Sequence, residues 1–281
     1  MTNDKQLISS TQLPLYGKRI LVTAPRSYAS RFSEQVINLG GLPILMPTIE
    51  TCYLEDNSEL DTALERITEF DWIAFTSRNG IEAFWQRLQV LAIPTSALKH
   101  CQLCAIGKDS ERLSALGMRV DLVPGESSPQ GIIIELSKIA DIQHKTVLVP
   151  VPKVVGVPEP DIVPNFVASL QELGMEVTPV PTYTTRCLNP DIYELELELI
   201  RQGKIDAIAF SSTGEVEAFL QMVDSLQDYK HCIIACFGPY TAANAQKLGV
   251  NVSIIAQDYS SFAGFAEAIA TFFTQEISVV A

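Results

Sequence analysis

Four short segments of the 281-residue chain place hydroxyls, glycines and free backbone N–H groups where strand-like runs give way to helical ones. They are FTSRNG (Phe75 to Gly80), FSSTGE (Phe210 to Glu215), AIGKDS (Ala105 to Ser110) and CFGPYT (Cys236 to Thr241). The first turn of a helix carries unpaired N–H groups and the positive end of the helix dipole, so each segment is a potential cradle for a carboxylate or phosphate. A serine or glycine at such a turn is commonly only a cap, and one segment alone carries little weight. Four in repeated positions carry more.

The remaining reactive side chains point away from metals and cofactors. Cys101 and Cys104 form a CxxC inside an apolar strand-like run, where residues three apart face opposite sides of a sheet, and no second Cys or His pair at ligand spacing accompanies them. All six cysteines read as buried thiols of a reducing compartment. His100, His144 and His231 precede strands, at the edge away from the four turns, and read as exposed loop residues. Asp71 and Asp206 open strands at that same edge and read as turn residues. The absence of a GxGxxG, a P-loop or a GxSxG elbow argues against NAD, ATP and serine-hydrolase chemistry, so neither a cofactor nor a metal is expected. A net charge of −13, from 33 acidic and 20 basic residues with no Lys/Arg cluster, argues against nucleic acid and anionic membranes as partners. A small anion is compatible with it, because a few oriented amides outweigh a distant negative field.

The elements that must position these turns come in two copies. Phe70 to Leu88 lies over Ile205 to Val223 at a shift of 135, matching Asp71, Ile73, Phe75, Ser77, Glu82, Ala83 and Phe84 with their counterparts. Leu39 to Thr51 lies over Leu173 to Thr185 at a shift of 134, and Gly107, Ser110 and Gly117 match Gly238, Thr241 and Gly249. Strands are expected near 18–24, 42–46, 71–76, 101–106 and 119–123, then 146–150, 176–180, 206–211, 232–237 and 251–255, each followed by a helix-compatible stretch. Ser58 with Asp61 has a capping-box pattern, and Ser77 and Ser212 stand at helix starts. Ten βα units imply an α/β protein of two doubly wound parallel-sheet, flavodoxin-like domains. The β-like runs after Met46 and Val180 are overlong for βα loops and read as crossings, a two-stranded antiparallel ribbon pairing Thr48 to Cys52 with Pro181 to Thr185. The expected domains are therefore 1–47 with 186–281, and 52–179, joined by a ribbon of 47–53 and 180–186. With 47% hydrophobic residues, no stretch near the about 20 apolar residues of a membrane span, and a start (MTNDKQ) unlike a signal peptide, a cytoplasmic monomer is expected.

FTSRNGIEAF, the paired FSSTGEVEAFL, FGPYTAANAQKLG and the two PTIET/PTYTT crossings together resemble uroporphyrinogen-III synthases, from about Lys18 to Phe273. The resemblance implies two doubly wound domains with the active site in the cleft between them. It also implies cofactor-free closure of a linear tetrapyrrole bearing eight carboxylates, hydroxymethylbilane, with the last ring inverted. By position, Tyr183 in PTYTT resembles the family's cleft tyrosine and is the expected catalytic residue. Thr241, with Gly238, resembles the family's hydroxyl at a helix start, and Ser110 is its counterpart in the other copy. Ser77, Asn79, Ser211 and Ser212 resemble substrate-carboxylate contacts, and Arg26 holds the basic position after the first strand. The Pro/Val-rich run Val151 to Pro164 departs from the polar, Arg-bearing loop expected there. The competing reading is a two-domain binding or sensory protein that closes on a small polycarboxylate without chemistry.

Overall fold

The short apolar runs at the centre of each sheet become strands here because helices cover both of their faces. The computed structural model describes residues 12–107, 109–158 and 161–280, with side chains to 275. The readings made on residues 1–6, on Lys108 and on residues 159–160 lie outside the described residues. The strands are β1 (Arg19–Val22), β2 (Leu42–Leu45), β3 (Ile49–Tyr53), β4 (Trp72–Phe75), β5 (Gln102–Ala105), β6 (Thr146–Val155), β7 (Glu176–Cys187), β8 (Ala207–Phe210), β9 (Ile233–Cys236) and β10 (Ile254–Ile255). The helices are α1 (Arg26–Asn38), α2 (Ser58–Glu65), α3 (Arg78–Val90), α4 (Asp109–Ala115), α5 (Pro129–Leu136), α6 (Ile162–Glu172), α7 (Glu194–Arg201), α8 (Thr213–Met222), α9 (Leu226–Tyr229), α10 (Pro239–Lys247) and α11 (Phe262–Val280). None of them is long and apolar enough to cross a membrane.

Two five-stranded sheets result, ordered β10-β9-β8-β1-β2 and β3-β7-β6-β4-β5. The chain divides into two compact units, the first of Met1–Glu50, Gly156–Pro158 and Arg186–Ala281, the second of Thr51–Val155 and Glu159–Thr185. In the first, β1 pairs parallel with β8, Leu21 opposite Ile208. Alternation sends Leu21, Ile208, Phe210 and Ile234 into one core with Val216 and Phe219 of α8, and Ile20, Val22, Ala207 and Ala209 into another with Phe32 of α1 and Phe265 of α11. The second unit repeats the plan, with Ile73, Phe75 and Leu148 against α2 and α3, and Trp72, Ala74 and Val147 against α5 and α6. Cys101 lies in the former of these cores and Cys104 in the latter, so the CxxC thiols face opposite sides of the sheet, and burial pushes them up to about 11 and about 12.

The matched aspartates fasten strand starts. Asp206 accepts from Arg19 N at 2.8 Å and Lys18 Nζ at 3.4 Å, and Asp71 accepts from Thr146 N and Lys145 Nζ, both at 2.9 Å.

Four local readings differ from the structure. The strand expected at 119–123 is reduced to one parallel bridge, Cys104 to Leu122, because Asp121 caps the edge of β5: its carboxylate accepts from Leu103 N at 2.9 Å. Ser58 begins α2 without a capping box, since the Asp61 carboxylate is held by Arg87 instead. The strand expected at 146–150 runs on to Val155, whereas β7 carries the strand expected at 176–180 straight through the β-like crossing expected after Val180, to Cys187. Pro150 and Pro152 do not stop β6, because the N–H groups they lack belong to one edge and the ladder to β4 has already ended at Leu148. Finally, Leu188 N donates to Thr48 O at 3.0 Å and Arg186 meets Glu50 at 2.6 Å, an antiparallel sense in which Leu188, and not Thr185, stands opposite Thr48.

Candidate active site

In the second unit, β4 ends at Phe75 and α3 begins at Arg78, with Ser77 between them in extended backbone as the N-cap. Its Oγ accepts from Gly80 N at 3.2 Å, satisfying one of the open donors of the first turn. The same Oγ lies 3.1 Å from Tyr183 Oη. Tyr183 is 8% exposed, in β7, and the neighbouring Thr182 is anchored by donating to Val151 O at 3.3 Å. Asn79 is half-buried at the second position of α3. Ser110 turns inward: its hydroxyl donates to Gly107 O at 2.6 Å, closing a turn that needs the positive φ of that glycine (+47°). Next to it Glu82 accepts both Arg112 donors, at 2.6 and 2.8 Å, and the Arg112 hydrogen bonds hold its carboxyl below the usual range.

The corresponding turn of the first unit has another occupant. Ser212 is the N-cap of α8, accepting from Glu215 N at 3.4 Å. The Glu215 side chain, 1% exposed, folds back under this turn. Its carboxyl oxygens accept from Ser211 N at 2.8 Å, from Ser212 Oγ at 3.1 Å and from Ser211 Oγ. Thr23 Oγ1 stands 2.8 Å from both Glu215 Oε2 and Ala209 O, yet has one proton to give. Burial pushes the Glu215 pKa up against the opposing hydrogen bonds from Ser211, Thr23 and Ser212. The hydroxyls of Ser211 and Ser212 are thus directed at an internal carboxyl.

The next turn of that unit is open. Gly238, buried and extended, is the N-cap of α10 and supplies no side-chain acceptor to it. Thr241, third in the helix and 7% exposed, has no hydrogen bond to its hydroxyl among the described residues. Arg26, exposed, begins α1 just past the end of β1, and its charge opposes the burial that pushes the Tyr193 phenol up. His100, His144 and His231 are exposed ahead of β5, β6 and β9. Among the described residues no group of three or more His, Cys, Asp or Glu side chains is placed to hold a metal ion.

A family model described as uroporphyrinogen-III synthase HemD matches residues 30–266. The chain belongs to the uroporphyrinogen-III synthase family. It is 30% identical over 254 residues to the uroporphyrinogen-III synthase of Synechococcus elongatus, covering 88% of this chain and 92% of that protein. It is 25% identical over 257 residues to that of Chlorobaculum parvum, covering 90% and 98%. Among solved structures, a mutant uroporphyrinogen III synthase from Thermus thermophilus superposes with a TM-score of 0.65 at 17% identity, over 92% of this chain and 99% of that one, a likeness of fold.

Within this family frame, sequence reasoning missed Glu215. The signal was present: Ser212 followed three residues later by an acid is a capping-box spacing. The carboxyl in fact reaches the N–H of Ser211, one residue further back than a capping box requires.

Proposed function

We propose that this chain is a cyclising lyase that closes hydroxymethylbilane to uroporphyrinogen III without a cofactor. Family membership supplies the reaction class, and the observation that carries the site reading is Tyr183, a nearly buried phenol hydrogen-bonded to the N-cap of α3. The electrons of a pyrrole nitrogen expel the terminal hydroxyl, which leaves as water once a proton reaches it, and an electrophilic azafulvene remains. Closure at the unsubstituted end carbon needs no help, so the protein must hold the chain where attack at the substituted carbon wins. The spiro centre so formed breaks its older bond to the neighbouring ring's methylene, and the azafulvene released there is attacked by the unsubstituted carbon of the turned ring, which then loses its proton, so that the last ring is inverted. Tyr183 donates to the departing oxygen. The open N-terminus of α10 with Gly238 and Thr241, the start of α3 with Asn79, and the exposed Arg26 grip substrate carboxylates. Ser110 contributes an oxygen already oriented by its own turn, and at Ser211 and Ser212 any grip on substrate must compete with Glu215. Six free thiols favour a reducing compartment such as the cytoplasm, and a net charge of −13 disfavours nucleic acid and anionic membranes as partners.

The test is to supply freshly made hydroxymethylbilane to the purified protein and separate the isomers. Isomer III formed faster than isomer I arises without protein supports the reading. Binding with only spontaneous isomer I would leave a non-catalytic binding protein.

A further inference from the structure

Ser77 and Ser212 are equivalent N-caps of a duplicated turn, so each is a control for the other. Ser212 Oγ accepts from the helix and passes its own proton to an oxygen of Glu215, 3.1 Å away. In the second unit, Gly80 stands where that glutamate would be, and Tyr183 stands at the position matched by Ile49. Ser77 Oγ likewise accepts from the helix, through Gly80 N, and the oxygen within reach of its proton is Tyr183 Oη.

We propose that Ser77 is a positioning residue for ring closure: its hydroxyl donates to Tyr183 Oη and thereby orients and polarises the phenol that meets the departing oxygen. Accepting an N–H from the first turn of the 13-residue α3 draws density from Ser77 Oγ and makes that hydroxyl a better donor than acceptor. The phenol oxygen, accepting in turn, becomes a better donor itself, so amide, serine and tyrosine form one polarised chain. This inference rests on the reading of Tyr183 given above.

Steady-state formation of isomer III by Ser77→Ala, Ser77→Gly, Ser77→Thr, Tyr183→Phe and the Ser77→Ala/Tyr183→Phe pair tests it. Glycine is included because it caps helices nearly as well as serine, so S77G removes the hydroxyl while keeping the fold. Expected are turnover lowered about 10-fold in S77A and S77G, on the order of one neutral hydrogen bond, KM changed less than about twofold, and turnover restored in S77T. The double variant should be no slower than Y183F alone. Unchanged or raised turnover in S77A, a loss confined to KM, or losses that multiply in the double variant would overturn the proposal. A fully active Y183F would overturn the underlying reading of the tyrosine, whereas a slow Y183F beside a normal S77A removes only the role of Ser77.

Discussion

The turn after β4 and the turn after β8 share a serine N-cap and an N–H···Oγ bond, and differ in what meets the serine's other side. After β8 the space is taken by Glu215, which ties together Thr23, Ser211 and Ser212. After β4, Gly80 leaves Ser77 to a phenol from a distant strand. The two copies share one local solution to starting a helix, and the residue at the third helical position, Glu215 or Gly80, sets whether the cap serine meets a carboxyl or a phenol.

Deleting the internal carboxyl gives the largest stability effect. Glu215→Ala leaves the Ser211 N–H and the hydroxyls around it without acceptors in a buried site, and should cost about 3 kcal/mol in urea unfolding. A loss under about 1 kcal/mol would mean that water replaces the carboxyl, and that the turn after β8 is as open as the other.

Transplanting the acid should erase the difference from the opposite direction. Gly80→Glu would offer Ser77 a carboxylate in place of Tyr183, and isomer-III turnover should fall about 10-fold with the fold retained, the worth of one hydrogen bond. Full activity in that variant would separate Ser77 from the chemistry.

Titration distinguishes the turns more finely. The Glu215 pKa is raised above the ordinary 4.5 by burial, so its stabilising contribution is complete below that pH and is lost as pH rises through the folded value. Glu215→Gln, which keeps one donor and one acceptor, should flatten the decline of stability with pH above about 4.5, as read by urea unfolding across pH 4.5 to 8. An unchanged slope would place the titrating group elsewhere.

The smallest effect belongs to Gly80→Ala. A Cβ at Gly80 would lie 3.4 Å from Ser77 Oγ and 3.6 Å from Pro150, ordinary contacts, and alanine favours a helix over glycine by about 1 kcal/mol. Stability should stay level or rise by less than that, with activity kept, since the methyl group offers Ser77 no acceptor.

Features set by neighbours in sequence were legible in it. Ser77 and Ser212 cap α3 and α8 because a serine after a buried strand meets the open N–H groups of the next turn, whatever lies beyond. Features set by distant partners were not. The alternation at 119–123 suggested a strand, but Asp121 and the end of β5 reduced it to a bridge. Ser58 and Asp61 had capping spacing, but Arg87, 26 residues away, took the carboxylate. Glu215 sat in plain view, and only the convergence of Thr23 and Ser211 on its carboxyl shows why it is buried. The contact between Ser77 and Tyr183 joins residues 106 apart, and no local pattern encodes it.

Tyr183 is the side chain on which the difference between the two turns becomes chemistry. The most direct measurement is single-turnover formation of isomer III from hydroxymethylbilane by Tyr183→Phe beside the unaltered protein, with substrate binding measured in parallel. Retained binding with closure slowed by about 10- to 1000-fold, the range for loss of one positioned donor, is the predicted result. Closure at the unaltered rate and isomer ratio would contradict it, leaving Tyr183 as a packing residue of β7 and the holding of the chain as the whole of catalysis.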